Sequence, residues 1–484
     1  MDVLTFRLRP VAPLFLGAFF VLLSLEVGRA FFDRGPTRAL ALALLPGLLL
    51  LVGNKRVLFG LVVGALGATV VFGRDFAHLG GHLPLVGQMY ILDLVLAAAL
   101  IFALSAVADA IRTNGAECFL VGAIVLVTIA QLLRQPIDGE ALRDSVIGLY
   151  SLWAVVGMML VAAGKLQAVA RVVYAAGLGA TVVFGLFLLS NSNPFTSAVT
   201  PKLGASSYAL YLGFGILLVL IAPSLIHNER RRHLAYGFAI AQGAVIAASQ
   251  SRSLWVAMVF GLAGTTIAGG LHADAKGRLF KFGLAFVGLA VVAAIALPST
   301  ATRLASVAHT LVHYDNPAAA TATAQVKVLD TQWRLKRWEQ AFDQDIKTHP
   351  LTGIGFGDPV IADQATRQAY ESVGEIAPRI DPHNSFIAFA ARMGIPAFIL
   401  LLLFEVMVFR SATRAIRANV GAAPRALVSW LLGCQLMTAG HAFFTVVLEG
   451  PYMGLFFWLF GGMVIGVDHA IRRGTRLPDE EVVA

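Results

Sequence analysis

Charge is what this sequence has least of. Only 13% of its 484 residues are Asp, Glu, Lys or Arg, against about 25% in an average soluble domain. A chain of this length can bury a large core, but in water it would still need a charged surface. Without one, much of the surface must face lipid. Cysteine is nearly absent as well. Cys118 and Cys434 lie in or beside apolar segments, which excludes a disulfide framework and leaves too few ligands for a cysteine zinc site. No His, Asp and Glu cluster has metal-ligand spacing, so no metal and no cofactor are expected. Regularly alternating strands are missing, which argues against a closed barrel. Acidic residues are fewer than basic ones and the net charge is +9. The basic residues fall in short loops rather than in one stripe, so no nucleic-acid partner is expected. Arg7 and Arg9 precede an apolar segment, but no small-residue cleavage site follows, and the segment reads as a first span rather than a signal.

Long apolar runs are what the chain has instead. Hydrophobic residues make up 58% of it, in successive runs long enough to cross roughly 30 Å of hydrocarbon. The expected fold is an all-α polytopic membrane protein of about 12–14 transmembrane helices. Spans are expected near residues 11–27, 39–53, 57–73, 89–108, 116–133, 145–163, 168–190, 206–226, 234–248, 254–270, 280–297, 385–409, 426–447 and 452–470. Residues 1–297 then form a bundle of about eleven spans, 298–384 one large loop, 385–471 the C-terminal membrane helices and 472–484 a tail. With the N-terminus inside, 20 of the 37 Lys and Arg residues fall on the inner side, among them Arg112, Arg410, Arg414, Arg417, Arg472 and Arg473. The short outer connections carry 8, including Arg134 and Arg252. That bias puts both termini in the cytoplasm and the long loop outside.

The loop is too long and polar to be a mere connector. Residues 316–329 read as a spacer and 330–347 as an amphipathic helix, capped by Asp330 or Thr331 and stopped at His349-Pro350. Within it Arg334, Arg337 and Trp338 share one face. Two cations on one face repel unless an anion lies opposite; the plainer alternative is a solvated helix with Asp330–Arg334 and Asp343–Lys347 pairs. Gly353, Gly355 and Gly357 lack the Lys-Ser/Thr ending of a phosphate loop and read as a turn returning the chain to the membrane.

Arg252 sits in a polar hinge, Ser249-Gln250-Ser251-Arg252-Ser253, between two apolar spans. It either meets lipid headgroups by snorkelling or marks an anion site, since a guanidinium offers phosphate a fixed fork of donors. Asp381-Pro382-His383-Asn384-Ser385 leads straight into a span, with Asn384 or Ser385 as cap. A helix N-terminus disfavours imidazolium, so His383 is suited to act as a general base; a structural role at the helix start is the alternative. Asp93, Glu405 and Glu449 are acidic residues in or beside spans, suited to interhelical pairing or to a proton relay.

Three stretches in this order carry a family resemblance. They are Ser251-Arg252-Ser253 opening a span; Arg334-Leu335-Lys336-Arg337-Trp338 leading to Pro350-Leu351-Thr352-Gly353-Ile354-Gly355; and His383-Asn384-Ser385-Phe386 followed by Met393-Gly394-Ile395-Pro396. Over about residues 240–410 the chain resembles the O-antigen ligase/polysaccharide polymerase superfamily, bacterial inner-membrane glycosyltransferases with a GT-C-like helical fold and one large periplasmic loop. The resemblance implies a donor glycan on undecaprenyl diphosphate and an acceptor that is either the lipid A-core or a second lipid-linked glycan. It implies catalytic roles for His383, Arg252 and Arg334, with Arg337, Trp338, Asn384 and Ser251 binding substrate. It further implies metal-independent, inverting transfer at the periplasmic face. A transporter of lipid-linked sugars, with Asp93 and Glu405 as coupling groups, is the reading from a different class.

Overall fold

In the computed structural model, the described residues are 55–77, 80–83, 87–190 except 136 and 138, 205–222, 228–249, 252–269, 334–357, 382–418 and 421–474 except 451, with isolated positions between them. The expected spans at 11–27 and 39–53, nearly all of 280–297, the cap at Asp330 or Thr331, the spacer, Ser251 and most of the tail lie outside them.

Helices dominate. They are α1 (Lys55–Ala77), α2 (Ile91–Phe102), α3 (Leu104–Thr113), α4 (Gly115–Leu132), α5 (Gly139–Leu149), α6 (Leu152–Ala162), α7 (Leu166–Ser190), α8 (Ala205–Ile221), α9 (Glu229–Ser249), α10 (Arg252–Ile267), α11 (Ser385–Arg417), α12 (Ala422–Ala442) and α13 (Gly454–Arg472). The chain is an all-α polytopic membrane protein, with one small addition. β1 (Gly80–Leu83) and β2 (Gly87–Tyr90) form an antiparallel ribbon, Gly80 opposite Tyr90. The ribbon falls where glycine and proline interrupt the apolar pattern, too short a stretch to add a layer to the fold.

By length and composition α4, α11 and α13 can each cross a membrane unaided, and two bent pairs bring the total to at most five among the described residues. Both bends modify an expectation. The span expected at 89–108 is split into α2 and α3, and that at 145–163 into α5 and α6, bent by 44°. At the second bend Tyr150 donates its hydroxyl to Asp93 Oδ1 at 2.6 Å, while Asp93 Oδ2 accepts the Tyr90 N–H at 2.8 Å. Asp93 therefore ties the start of α2 to the bend. Glu405 likewise accepts from Gln435 Nε2 at 2.7 Å, across α11 and α12. Both acids are engaged in interhelical pairing. Large apolar side chains such as Phe119, Leu126, Val259 and Val406 are exposed, as a lipid-facing surface requires.

Lipid tails are as apolar as leucine, so helices in a bilayer associate through close packing. Small residues provide it here. A methyl on Gly462 of α13 would overlap the Ala154 carbonyl of α6, and one on Gly264 of α10 would overlap Leu436 of α12. These two close pairs, α6 with α13 and α10 with α12, hold the bundle around the site.

The ends of three helices define two faces of the molecule. At one end Glu117 near the start of α4 meets His469 of α13 at 3.1 Å, and Asp468 binds Arg414 of α11 at 2.6 Å and Arg472 at 3.2 Å. Arg112, Arg414, Arg417, Arg472 and Arg473 therefore cluster at one end of the bundle. The finish of α4 and the start of α11 meet the loop at the other end.

Candidate functional site

The site is built on a break in α11. Pro396 has no N–H for the Arg392 carbonyl four residues earlier, and its ring would clash with that carbonyl. Gly394 takes φ +81°, open to glycine, and turns the chain aside. The break leaves the Ala391 and Arg392 carbonyls and the Ile395 N–H without helical partners. The glycine-rich turn satisfies all three: Ile354 N–H donates to Ala391 O at 2.8 Å, Gly355 N–H to Arg392 O at 3.0 Å, and Ile395 N–H to Pro350 O at 2.7 Å. Gly353, Gly355 and Gly357 have φ of +66°, +88° and +97°. A side chain on Gly353 would overlap the Arg392 carbonyl. The triple-glycine stretch is the turn expected from sequence, seated on the kink.

Residues from the first half of the bundle hold that turn. Gln135 donates to Ile354 O at 2.8 Å and accepts the Phe356 N–H at 2.9 Å. Gln131 donates to Thr352 O. Asp144 of α5 accepts the Gly357 N–H at 3.1 Å and pairs with Arg392 at 2.8 Å, both side chains being buried.

The loop helix precedes the turn. Residues 334–341 are helical, Phe342–Ile346 form a π turn, and the helix stops just before His349-Pro350. Its inward face is the expected one: Arg334, Arg337 and Trp338 are half-buried, while Leu335, Lys336 and Glu339 are exposed. Ala341 and Ile346 are buried against Ala390 and Ala391 of α11. On the outer side Lys347 pairs with Asp343 at 3.0 Å, so the helix also carries the expected solvated face.

The loop helix and α11 both meet the turn between α12 and α13. Arg334 donates from Nη1 to Phe444 O at 2.9 Å. Trp338 donates its indole N–H to Pro382 O at 2.7 Å and stacks edge-on against Phe443, with ring centroids 5.5 Å apart. His383 follows, half-buried, with φ +50°, the only positive φ at a non-glycine residue among those described. Such strain persists where the surroundings fix it and clusters at functional sites. Asn384 is the cap of α11: its Oδ1 accepts the Phe386 and Ile387 N–H groups at 3.0 and 3.1 Å. Ser385 is used differently. Its Oγ accepts the Val447 and Leu448 N–H groups at 2.7 and 3.1 Å and donates toward Glu449 Oε2 at 3.0 Å.

Arg252 is the first residue of α10. Gly440 of α12 lies against Ala257 and Phe260 of that helix, which brings the first half of α10 to the last turn of α12, four residues before the carbonyl that holds Arg334. The start of α10 and the described loop helix thus approach the same turn. Arg334, Trp338, His383, Asn384 and the N-terminus of α10 surround one corner of the bundle, with Arg337 on the same helical face. Sequence reading singled out Glu449 only as a span-edge acid, and missed Gln131, Gln135, Asp144, Arg392 and the 443–449 turn. Polar side chains at span ends were their only signal.

Residues 237–402 match a family model described as O-Antigen ligase. This stretch belongs to the O-antigen ligase/polysaccharide polymerase superfamily. The match contains every motif of the resemblance, from Arg252 through the loop helix to the α11 kink. No curated protein matches the chain. In general terms the protein is a multi-pass membrane enzyme of the ligase or polymerase kind, a family acting on lipid-linked glycans.

Proposed function

We propose that the protein transfers a glycan en bloc from undecaprenyl diphosphate to an acceptor sugar, as an O-antigen ligase does, with the lipid A-core as acceptor. The observation that carries this reading is the convergence of Arg334, the strained His383 and the start of α10 at Arg252 on one turn at one end of the bundle. Residues 298–384 form the periplasmic loop in this reading, and both termini lie in the cytoplasm. The ion-pair cluster of Arg414, Asp468 and Arg472 at the opposite end of α11 fits the positive-inside bias.

In the mechanism His383 takes the proton from the acceptor hydroxyl. The hydroxyl oxygen attacks the anomeric carbon from the face opposite the diphosphate, forming the new glycosidic bond with inversion. The bond from that carbon to the diphosphate oxygen breaks, and its electron pair leaves with undecaprenyl diphosphate. Negative charge grows on the leaving group, so the guanidinium groups of Arg252 and Arg334 stabilise the transition state more than the ground state. Arg337 and Ser251 add donors to the diphosphate, and Trp338 offers its ring as an apolar wall to the glycan. Asn384 contributes by fixing the first turn of α11 and with it the approach of His383. Arginine and histidine carry these steps, so the transfer is metal-independent.

A polymerase differs only in its acceptor, a second lipid-linked glycan. Lipopolysaccharide from a deletion strain tests the assignment. Core bearing no repeats supports the ligase; core with a single repeat, or loss of a secreted polysaccharide alone, shows a polymerase.

A further inference from the structure

At the end of the bundle away from the candidate site, one face of α11 changes character along its length. Leu402, Val406, Arg410 and Arg414 recur every four residues and so share that face. Leu402 and Val406 are 43% and 59% exposed, as lipid-facing side chains are. Arg410 and Arg414 follow, toward the end where Asp468 meets Arg414 and Arg472. A cavity of about 620 Å³ opens here between α11 and α12, walled by Val406, Phe409 and Leu436, with Arg410 and Arg414 at its charged end. That volume falls within the range of ligand pockets, about 300–1,000 Å³. A snorkelling arginine on a flat helix face needs no such concavity.

Positive charge is in excess around the cavity's end. Asp468 is shared by Arg414 at 2.6 Å and Arg472 at 3.2 Å, and Glu117 is held by His469 at 3.1 Å. Arg410 and Arg417 are exposed and, among the described residues, have no carboxylate partner. Arg414 gives Asp468 its Nε and Nη2, which leaves Nη1 for a further acceptor. Glu405 also lines the cavity, its carboxyl accepting from Gln435 Nε2 at 2.7 Å. It lies five residues before Arg410, about 7 Å deeper in the membrane, away from any anion at the arginines. A free phosphate would leave the apolar walls unfilled, and an uncharged lipid would leave the guanidinium excess unanswered. Basic pockets between membrane helices suit anionic headgroups.

We propose that this cavity binds an anionic glycerophospholipid, its phosphate held by Arg410 and Arg414 and an acyl chain lying along Val406 and Leu402. The lipid belongs to the leaflet at the arginine end, the cytoplasmic one in the orientation proposed above. The site stands apart from the transfer reaction and does not depend on it.

The test uses the purified full chain in an uncharged detergent, with dioleoylphosphatidylglycerol, dioleoylphosphatidylcholine and glycerol 3-phosphate as probes. Native mass spectrometry counts retained lipid, and thermal shift reads stabilisation. Wild type should retain phosphatidylglycerol over phosphatidylcholine and melt higher with it. Arg410→Gln should lower phosphatidylglycerol affinity about fivefold, the effect of roughly one arginine near a membrane surface. Val406→Trp fills the groove while keeping every charge, and should lower it by a similar factor. Both residues are exposed, so both variants should melt like wild type without lipid. Equal retention of the two lipids by wild type overturns the proposal, as does unchanged affinity in Arg410→Gln. A loss in Arg410→Gln with Val406→Trp like wild type places the lipid on the open charged surface and overturns the cavity. Glycerol 3-phosphate bound as tightly as the lipid would mark a soluble phosphate site, and a lipid-excluding dimer would mark a second copy as the occupant. Either result overturns the proposal.

Discussion

His383 and Asn384 are adjacent, yet the structure gives them separate tasks. Asn384 spends its carboxamide oxygen on two backbone N–H groups, so Asn384→Ala should cost about 1 kcal/mol, while Asn384→Asp or Ser should cost much less. Thermal unfolding in detergent reads this directly. His383 is held in a left-handed conformation on the same turn. His383→Ala keeps the left-handed backbone, which alanine tolerates no better than histidine, but removes the base, so stability should change little while transfer falls by about 10²–10⁴-fold. The two substitutions therefore move opposite observables. Arg334 gives a third contrast: Ala should weaken donor binding, and Lys should restore it only in part because it lacks the planar fork. A donor titration with the lysine variant equal to wild type would reduce Arg334 to a point charge. All three residues were legible in sequence because their signal is local: a cap before an apolar run, a helical face, a histidine at a helix start. Ser385 shows where local signals end. Read as a possible cap, it instead binds backbone more than 60 residues away, at Val447 and Leu448.

The element that organises the site is the kinked α11. Gly394 and Pro396 together free two carbonyls and one N–H, and the turn at 350–355 replaces all three lost bonds. Gly394→Ala must force a side chain into positive φ against the Leu351 carbonyl, so it should destabilise the chain by several kcal/mol. Asp144 and Arg392 extend the clamp to α5. Asp144→Ala leaves a buried guanidinium without its carboxylate and should cost about 3–5 kcal/mol, whereas Asp144→Ala with Arg392→Met should recover most of that loss. Melting curves of the single and double variants check the prediction; an additive loss in the double variant would mean that the pair is not coupled. The glycines and proline were visible in sequence, and the turn was the correct expectation for them. Its seat was not visible, because hydropathy encodes which segments leave water and not which broken ladder a loop repairs. The same limit explains the bends at Ala103 and Tyr150: each lies within a continuous apolar run, and Tyr150 is held by Asp93, a partner 57 residues away.

Across the whole molecule, the membrane-protein class followed from the shortage of charge together with the long apolar runs. The ion pairs among Glu117, Arg414, Asp468, His469 and Arg472 bring two of the arginines expected on the inner side, Arg414 and Arg472, to one end of the described bundle. The site at the other end draws on α10, the loop helix, α11 and the turn before α13, joined by the bonds of Arg334, Trp338 and Ser385 and by glycine-mediated contact of α10 with α12. Convergence of hinge and loop is therefore the central claim. Reconstituted transfer from purified undecaprenyl-diphosphate glycan to lipid A-core, with chelator present, tests it most directly when wild type is run beside Arg252→Ala, Arg334→Ala and His383→Ala. The account predicts transfer by wild type despite the chelator, weakened donor use by both arginine variants, and loss of transfer with donor binding kept in His383→Ala. Transfer at the wild-type rate by His383→Ala, or unchanged donor use by Arg252→Ala, would contradict it.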